Sequence, residues 1–142
     1  MNLAQIEDGF FVSGQLMPGQ ISELAAHGVK TIINNRPDDE RGFYTPNNAM
    51  AEMAAQQGID FHFIPIRHTG LTMEQVTSFA SALDGADGPV VAYCASGRRC
   101  AMMWALAKAA SKPADDILRA CAAQGYDLSQ MRPLLMQLAQ AA

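Results

Sequence analysis

One short segment of the chain joins a cysteine, a glycine and two arginines where a predicted buried strand gives way to a helix. Residues 90–104 read VVAYCASGRRCAMMW, in which Cys94 follows an apolar strand and an apolar helix begins at Arg99. A helix amino terminus offers unpaired backbone N–H groups and a partial positive charge, which favour an anion. The same field lowers the pKa of a thiol, so Cys94 is predicted to be a nucleophile beside an oxyanion cradle. The segment therefore predicts an enzyme.

The loop after Cys94 supplies the groups that would hold an oxyanion. Gly97 lets the backbone turn so that successive N–H groups converge, and the guanidinium of Arg99 can hold two oxygens of a tetrahedral anion. The alternative is a buried structural cysteine before an ordinary helix with two solvated arginines. The order of strand, cysteine, glycine, paired arginines and helix favours the catalytic site. The predicted anion-binding loop is Ala95, Ser96, Gly97, Arg98 and Arg99.

Composition and charge indicate a globular protein and favour a small anion as its ligand. The 142 residues are 49% hydrophobic and 17% charged, which predicts one globular domain over residues 1–142. A net charge of −4 argues against a nucleic-acid partner. Half of the basic side chains nevertheless follow predicted strands, so we expect a small anion to bind at that end of the sheet. These are Arg36, Arg41, Arg67, Arg98 and Arg99.

The three cysteines form neither an even disulfide framework nor a zinc pattern, so we expect no metal. Cys121 lies in an alanine-rich run and is predicted to be buried in the core. Cys100, one helical turn beyond the loop, is either a buried small residue or a redox partner of Cys94. The sequence shows no signal peptide and no apolar stretch of the roughly 18 residues that cross a membrane. We therefore expect a cytoplasmic protein without a membrane partner.

The elements that must position the loop alternate between strands and helices. Alternation of this kind predicts an α/β fold of three layers, with a mostly parallel sheet and helices on both faces. Ligands bind such sheets beyond the carboxyl ends of the strands, which is where Cys94 falls. Strands are predicted at Phe10–Ser13, Val29–Asn34, Ile59–Ile66 and Pro89–Tyr93. Helices are predicted from Pro18 to Gly28, from a Thr45 cap with Pro46 first, from a Thr72–Gln75 capping box, and over Arg99–Ala110, Pro113–Gln124 and Ser129–Ala141.

The segment Cys94–Arg99 with its helix resembles the signature loop of cysteine-dependent phosphatases and of rhodaneses. Three stretches of the amino-terminal half, Gly9–Gln15, Gly28–Asn34 and Arg36–Glu40, resemble the opening strands of dual-specificity phosphatases. From about Gly9 to Leu138 the chain is similar to a bacterial family of dual-specificity-like phosphatases, first catalogued as a domain of unknown function. Members of that family occur alone or fused ahead of metallo-β-lactamase-like hydrolases.

The resemblance implies hydrolysis of a phosphate monoester through a phosphocysteine on Cys94, without metal or cofactor. Arg99 and the loop N–H groups would hold the phosphoryl oxygens, and the substrate would be a phosphorylated small molecule or protein. Four residues instead of five separate Cys94 from Arg99, as is typical of rhodaneses and also usual in the bacterial family. Tyr93 replaces a histidine, and Cys100 replaces a serine or threonine. Two alternatives follow: a sulfurtransferase that carries a persulfide on Cys94, or a non-catalytic module that binds a phosphorylated partner.

The family pattern also implies an aspartate acid after the strand that ends near Arg67, but His68 stands there. Asp38, Asp39 and Glu40 follow another strand and could reach the site, although most of such an acidic turn is expected to be solvated. The candidate general acids are His68, Asp38 and Asp39, and we expect no strong, dedicated acid. The oligomeric state and the physiological substrate stay open.

Overall fold

A computed structural model describes residues 2–141, whose five strands form one sheet in the order β1-β2-β5-β3-β4. Strands β2, β5, β3 and β4 run parallel, whereas β1 is antiparallel to β2 at one edge. The strands are β1 Ala4–Glu7, β2 Phe10–Ser13, β3 Thr31–Asn34, β4 Asp60–Phe63 and β5 Val90–Tyr93. The helices are α1 Pro18–Ala26, α2 Asn47–Gln56, α3 Met73–Asp84, α4 Arg98–Lys108, α5 Ala114–Ala122 and α6 Arg132–Ala141.

Helices cover both faces of the sheet, so two apolar cores form. On the central strand β5, Val90, Ala92 and the following Cys94 face one core, while Val91 and Tyr93 face the other. The first core contains buried side chains of α3, α4, α5 and α6, and the second contains those of α1 and α2. This alternation is what a parallel strand buried on both faces requires. The predicted three-layer α/β fold is confirmed.

Strand β2 has the predicted bounds, whereas the other four strands differ from the sequence-based expectation. Strand β3 starts at Thr31 instead of Val29, and β5 at Val90 instead of Pro89. The pattern does not predict β1, where Ile6 is the one fully buried side chain and alternation is too short to detect.

The predicted strand Ile59–Ile66 is too long, because β4 covers only Asp60–Phe63. The N–H groups of Ile64 and Ile66 still donate to the carbonyls of Asn34 and Asn35 at 2.9 Å, so the chain stays beside β3 although the regular ladder has ended. Pro65 lies between them with its missing N–H on the open edge, where a proline is tolerated.

Helix starts were predicted correctly where the cap is local in sequence and wrongly where it is not. The capping box of α3 is present, with Thr72 and Gln75 bonded to each other's backbone N–H groups. Helix α2 instead starts at Asn47, whose N–H donates to the Asp38 carboxylate at 2.8 Å. The predicted Thr45 cap with Pro46 as the first residue is wrong, since the capping oxygen comes from the preceding loop.

The last predicted helix is divided. Ser129–Met131 forms a 3₁₀ turn, and α6 begins only at Arg132. Helix α4 begins at Arg98, one residue before the predicted start. Within residues 2–141, none of the helices combines the length and the apolar character needed to cross a bilayer.

Candidate active site

Cys94 lies directly after β5, at the carboxyl end of the strand that occupies the middle of the sheet. Its N–H donates to the Ser13 carbonyl at 3.2 Å, which ties the start of the loop to the end of β2. The chain after β2 passes so close that a Cβ on Gly14 would lie 3.1 Å from the Ala95 carbonyl oxygen. Cys94 is fully buried. The loops after β2 and β3 therefore flank a recessed thiol.

The loop turns at Gly97 and delivers the amino terminus of α4 to the sulfur. Gly97 has φ +89°, a conformation that L residues rarely adopt, and it occupies the cap position of α4. Its N–H donates to Cys94 Sγ at 3.1 Å. Ala95, Ser96 and Arg98 are exposed, so the outer part of the loop is open to a ligand. The five predicted loop residues thus lie together, with Ala95, Ser96 and Gly97 between β5 and α4 and the two arginines in the first turn of α4.

The pKa values of the two neighbouring thiols, Cys94 and Cys100, shift in opposite directions. The pKa of Cys94 falls from 9.0 to about 5, chiefly because the Cys100 thiol hydrogen bonds to it; burial opposes this shift. The N–H groups of Cys100 and Ser96 and the charge of Arg99 lower that pKa further. Burial, followed by the interaction with Cys94, raises the pKa of Cys100 well above its ordinary value. At neutral pH Cys94 is therefore a thiolate and Cys100 a thiol.

The Arg99 guanidinium is buried and held from two sides. Its Nη1 and Nη2 donate to the Glu40 carboxylate at 2.6 and 3.0 Å, and Nη1 also donates to the Ile66 carbonyl at 2.7 Å. These bonds use three of the five guanidinium N–H groups. Nε and the second N–H of Nη2 form no hydrogen bond within the described residues. Glu40 and the Ile66 carbonyl thus fix the guanidinium and leave its Nε edge unpaired.

Glu40 is the acidic residue that the structure brings to the site, and sequence reasoning did not single it out. Hydrogen bonding to Arg99 is the main cause that lowers its pKa, with Arg36 adding to it, so Glu40 is ionised and does not serve as a proton donor. Arg36 Nε donates to Glu40 at 3.2 Å, and the Tyr44 hydroxyl receives the Glu40 N–H at 2.9 Å. The sequence signal was its place in the acidic turn after β3, which Asp38 and Asp39 share.

The three predicted general acids occupy different environments. Asp38 caps α2, and Asp39 forms an exposed ion pair with Arg67 at 2.9 Å. The hydrogen bond from Arg67 is the main cause that lowers the pKa of Asp39. His68 is exposed, and its Nε2 lies 4.0 Å from Glu40 Oε2. Among these three residues, His68 is the one next to the Glu40–Arg99 pair.

The remaining predicted features are also located. The positive charge at the carboxyl edge of the sheet is partly balanced by acidic side chains. Arg36, Arg67 and Arg99 each form an ion pair with a carboxylate of the loop after β3. Tyr93, in the place of the expected histidine, packs in the core on the opposite face of the sheet from Cys94. Cys121 is buried in the first core as predicted. Across residues 2–141, no three His, Cys, Asp or Glu side chains cluster in a way that could hold a metal ion.

Comparison with known proteins assigns this arrangement to a family. The family model for the phosphatase-like domain of beta-lactamase hydrolase-like proteins matches residues 2–111. A beta-lactamase hydrolase-like protein of Xylella fastidiosa strain Temecula1 is 29% identical over 132 residues, which are 92% of this chain and 31% of that protein. The chain thus spans about a third of the length of this curated relative.

Solved structures share the fold. A suspected phosphatase from Neisseria meningitidis Z2491 matches with a TM-score of 0.83 and 31% identity, over 97% of this chain and 99% of that one. Kinase associated phosphatase, crystallised with its catalytic-site cysteine replaced by serine, matches with a TM-score of 0.72 and 13% identity. That match covers 93% of this chain and 86% of the other.

Proposed function

Because this chain belongs to the family of phosphatase-like domains of beta-lactamase hydrolase-like proteins, we propose that it hydrolyses phosphate monoesters through a phosphocysteine on Cys94. The observation that carries the proposal is a buried Cys94 that accepts the Gly97 N–H at 3.1 Å and whose pKa, about 5, is lowered by the Cys100 thiol, backbone N–H groups and the charge of Arg99. Kinase associated phosphatase also has a catalytic-site cysteine. The substrate we propose is a phosphorylated small molecule or protein.

The loop and Arg99 bind the phosphoryl oxygens, since phosphoryl transfer depends mainly on positioning and on stabilising charge. The Cys94 thiolate attacks phosphorus in line, so an S–P bond forms while the P–O ester bond breaks and its electron pair leaves with the alcohol oxygen. Water then attacks the phosphocysteine, inorganic phosphate departs, and the thiolate is regenerated. Its low pKa also makes this sulfur a good leaving group in the second step.

We propose that the site works without a strong, dedicated general acid. Glu40 and Asp39 are held as carboxylates by arginines, and Asp38 is engaged at the start of α2. His68 is the remaining candidate at the rim, where it is largely solvated. Phosphate esters whose alcohols leave readily as anions should therefore be hydrolysed much faster than simple alkyl phosphates.

A sulfurtransferase is the second candidate, and the short loop favours it. With four residues between Cys94 and Arg99, the Gly97 N–H reaches the sulfur itself at 3.1 Å, a geometry that suits a single terminal sulfur. Thiosulfate would donate its outer sulfur to the Cys94 thiolate, giving a persulfide and sulfite. Cyanide would then remove that sulfur as thiocyanate and regenerate the thiolate.

A parallel assay separates these candidates. The purified protein is given an aryl phosphate in one series, and thiosulfate followed by cyanide in another. We expect aryl phosphate turnover that disappears in Cys94→Ser and persists in Cys121→Ala, which alters a thiol outside the loop. Thiocyanate formation without phosphate release would assign the sulfurtransferase. Phosphate binding without either reaction would support the third alternative, a non-catalytic module that binds a phosphorylated partner.

A further inference from the structure

Tyr126 touches the loop from the outer side, although neither the motif nor the family model includes it. Its hydroxyl donates to the Ser96 carbonyl oxygen at 3.0 Å. A Cβ added at Gly97 would overlap that hydroxyl, so the phenol fits against the loop only because residue 97 is glycine. Tyr126 lies beyond residues 2–111, the part that the family model matches.

The position of Tyr126 is set by the end of α5. The Tyr126 N–H donates to the Cys121 carbonyl at 3.0 Å, and the chain turns through Gly125 at φ +91°. Cys121 before the turn and Leu128 after it are both buried in the first core. The aromatic side chain itself packs against that core. The hydroxyl is therefore delivered by a fixed turn and not by a freely moving loop.

The Ser96 carbonyl and the Gly97 N–H are the two ends of one planar peptide group. In a trans peptide the C=O and N–H bonds point in opposite directions, so a bond that fixes the oxygen also fixes the direction of the N–H. Here the oxygen receives the Tyr126 hydroxyl, while the N–H points at Cys94 Sγ, 3.1 Å away. Hydrogen bonds in such a chain also polarise one another.

We propose that Tyr126 is a positioning residue, which holds the Ser96–Gly97 peptide so that its N–H stays directed at the sulfur of Cys94. The inference deepens the proposed function and rests on it only in that Cys94 acts as a thiolate. Tyr126 acts through the peptide and does not touch the reacting atoms. Other groups also lower the pKa of Cys94, namely the Cys100 thiol, the Ser96 N–H and the charge of Arg99. Removal of the Tyr126 hydroxyl should therefore weaken the thiolate without abolishing it.

The test is the pKa of Cys94 in Tyr126→Phe, which keeps the ring and removes the hydroxyl. The rate of alkylation by iodoacetamide is followed against pH, with the modified peptide identified by mass spectrometry. We expect the pKa of Cys94 to rise by about half a unit to one unit, as the loss of one modest hydrogen bond implies. Alkylation well below that pKa should be about three to ten times slower.

A matched control removes a hydrogen bond at the other end of the sheet. Glu7→Ala deletes the acceptor that Trp104 Nε1 uses at 2.8 Å, together with two partly exposed ion pairs to Lys108 and Lys112, and should leave the pKa of Cys94 unchanged because Glu7 lies far from the loop. An unchanged pKa in a folded Tyr126→Phe protein would overturn the proposal, as would an equal shift in the control. Because alkylation does not require phosphatase turnover, failure of the proposed reaction would leave this result readable.

Discussion

At the residue scale, the site depends on which of four neighbouring groups carry charge at neutral pH. Cys94 is a thiolate beside the Cys100 thiol, and the Glu40 carboxylate is bound to the Arg99 guanidinium. One edge of the arginine holds Glu40, and in the proposed reaction its other edge binds the substrate. The reaction we propose therefore uses a nucleophile and an anion-binding group that are already charged in the unliganded protein.

The first prediction concerns the pH dependence of Cys94. With its pKa lowered from 9.0 to about 5, alkylation should show a midpoint near pH 5 and full reactivity at pH 7. Because the folded pKa is the lower one, the thiolate stabilises the fold fully above pH 9.0, and this contribution is lost as the pH falls to about 5. Alkylation of the Cys94 peptide measures the midpoint, and Cys94→Ser gives the background. A midpoint above pH 8 would contradict this account.

The second prediction compares the two adjacent arginines. Arg99→Lys keeps the charge but cannot hold Glu40 and an oxyanion at once, so kcat/KM for an aryl phosphate should fall about 100-fold, or ~2.7 kcal/mol. Arg98 is exposed at the first position of α4, and Arg98→Lys should have a much smaller effect. Steady-state measurement of kcat/KM for the two variants distinguishes these effects. A larger loss in Arg98→Lys would mean that Arg98 binds the substrate.

The third prediction concerns the leaving group. Since no acid at the site is free and strongly placed, phosphoserine-like esters should be hydrolysed about 10²–10⁴ times more slowly than activated aryl phosphates. His68→Asn, Asp38→Asn and Asp39→Asn should all leave that ratio nearly unchanged. Efficient alkyl phosphate hydrolysis that collapses in one of these variants would identify that residue as the general acid.

At the scale of the elements, the loop between β3 and α2 connects the site to the fold. Its three acidic residues do three different things: Asp38 caps α2, Asp39 pairs with Arg67 at the surface, and Glu40 turns inward to Arg99. The hydrogen bond from the Asn47 N–H to Asp38 holds the loop against the start of α2. The same loop therefore determines where α2 begins and where Glu40 lies.

The fourth prediction tests that capping role. Asp38→Ala leaves the Asn47 N–H, the first of α2, without its side-chain partner and should lower the free energy of unfolding by about 1 kcal/mol. Asp39→Ala removes only an exposed ion pair and serves as the control, with stability expected to stay nearly the same. Urea denaturation of the two variants measures the difference. Equal stabilities would show that Asp38 does not cap the helix.

Local patterns predicted the four parallel strands, the capping box of Thr72 and Gln75, and the turn at Gly97, because neighbouring residues determine each of these features. They could not separate Glu40 from the other two acids of its turn, since all three share one charge and one loop. Tyr126 was not predicted either, because it reaches Ser96 from 30 residues further along the chain. Contacts between segments distant in sequence thus account for what sequence reasoning missed.

At the scale of the whole molecule, four parallel strands bring their carboxyl ends to one edge of the sheet. The segments after β2, β3, β4 and β5 meet there, and they supply Gly14, Glu40, Ile66 and the Cys94 loop. The turn after α5 adds Tyr126 from outside the region that the family model matches. The fold thus assembles the proposed anion site from five separate segments, within a chain of net charge −4.

The central claim is that a phosphoryl group is transferred to the sulfur of Cys94, and intact mass spectrometry during turnover tests it most directly. The protein is mixed with an aryl phosphate and quenched within the first turnovers, and its intact mass is measured. Tandem fragmentation then locates the modification. We predict a mass gain of one phosphoryl group on the Cys94 peptide, absent from Cys94→Ser. Phosphate release that continues in Cys94→Ser, or a gain of one sulfur from thiosulfate with no phosphoryl adduct from the ester, would contradict the claim.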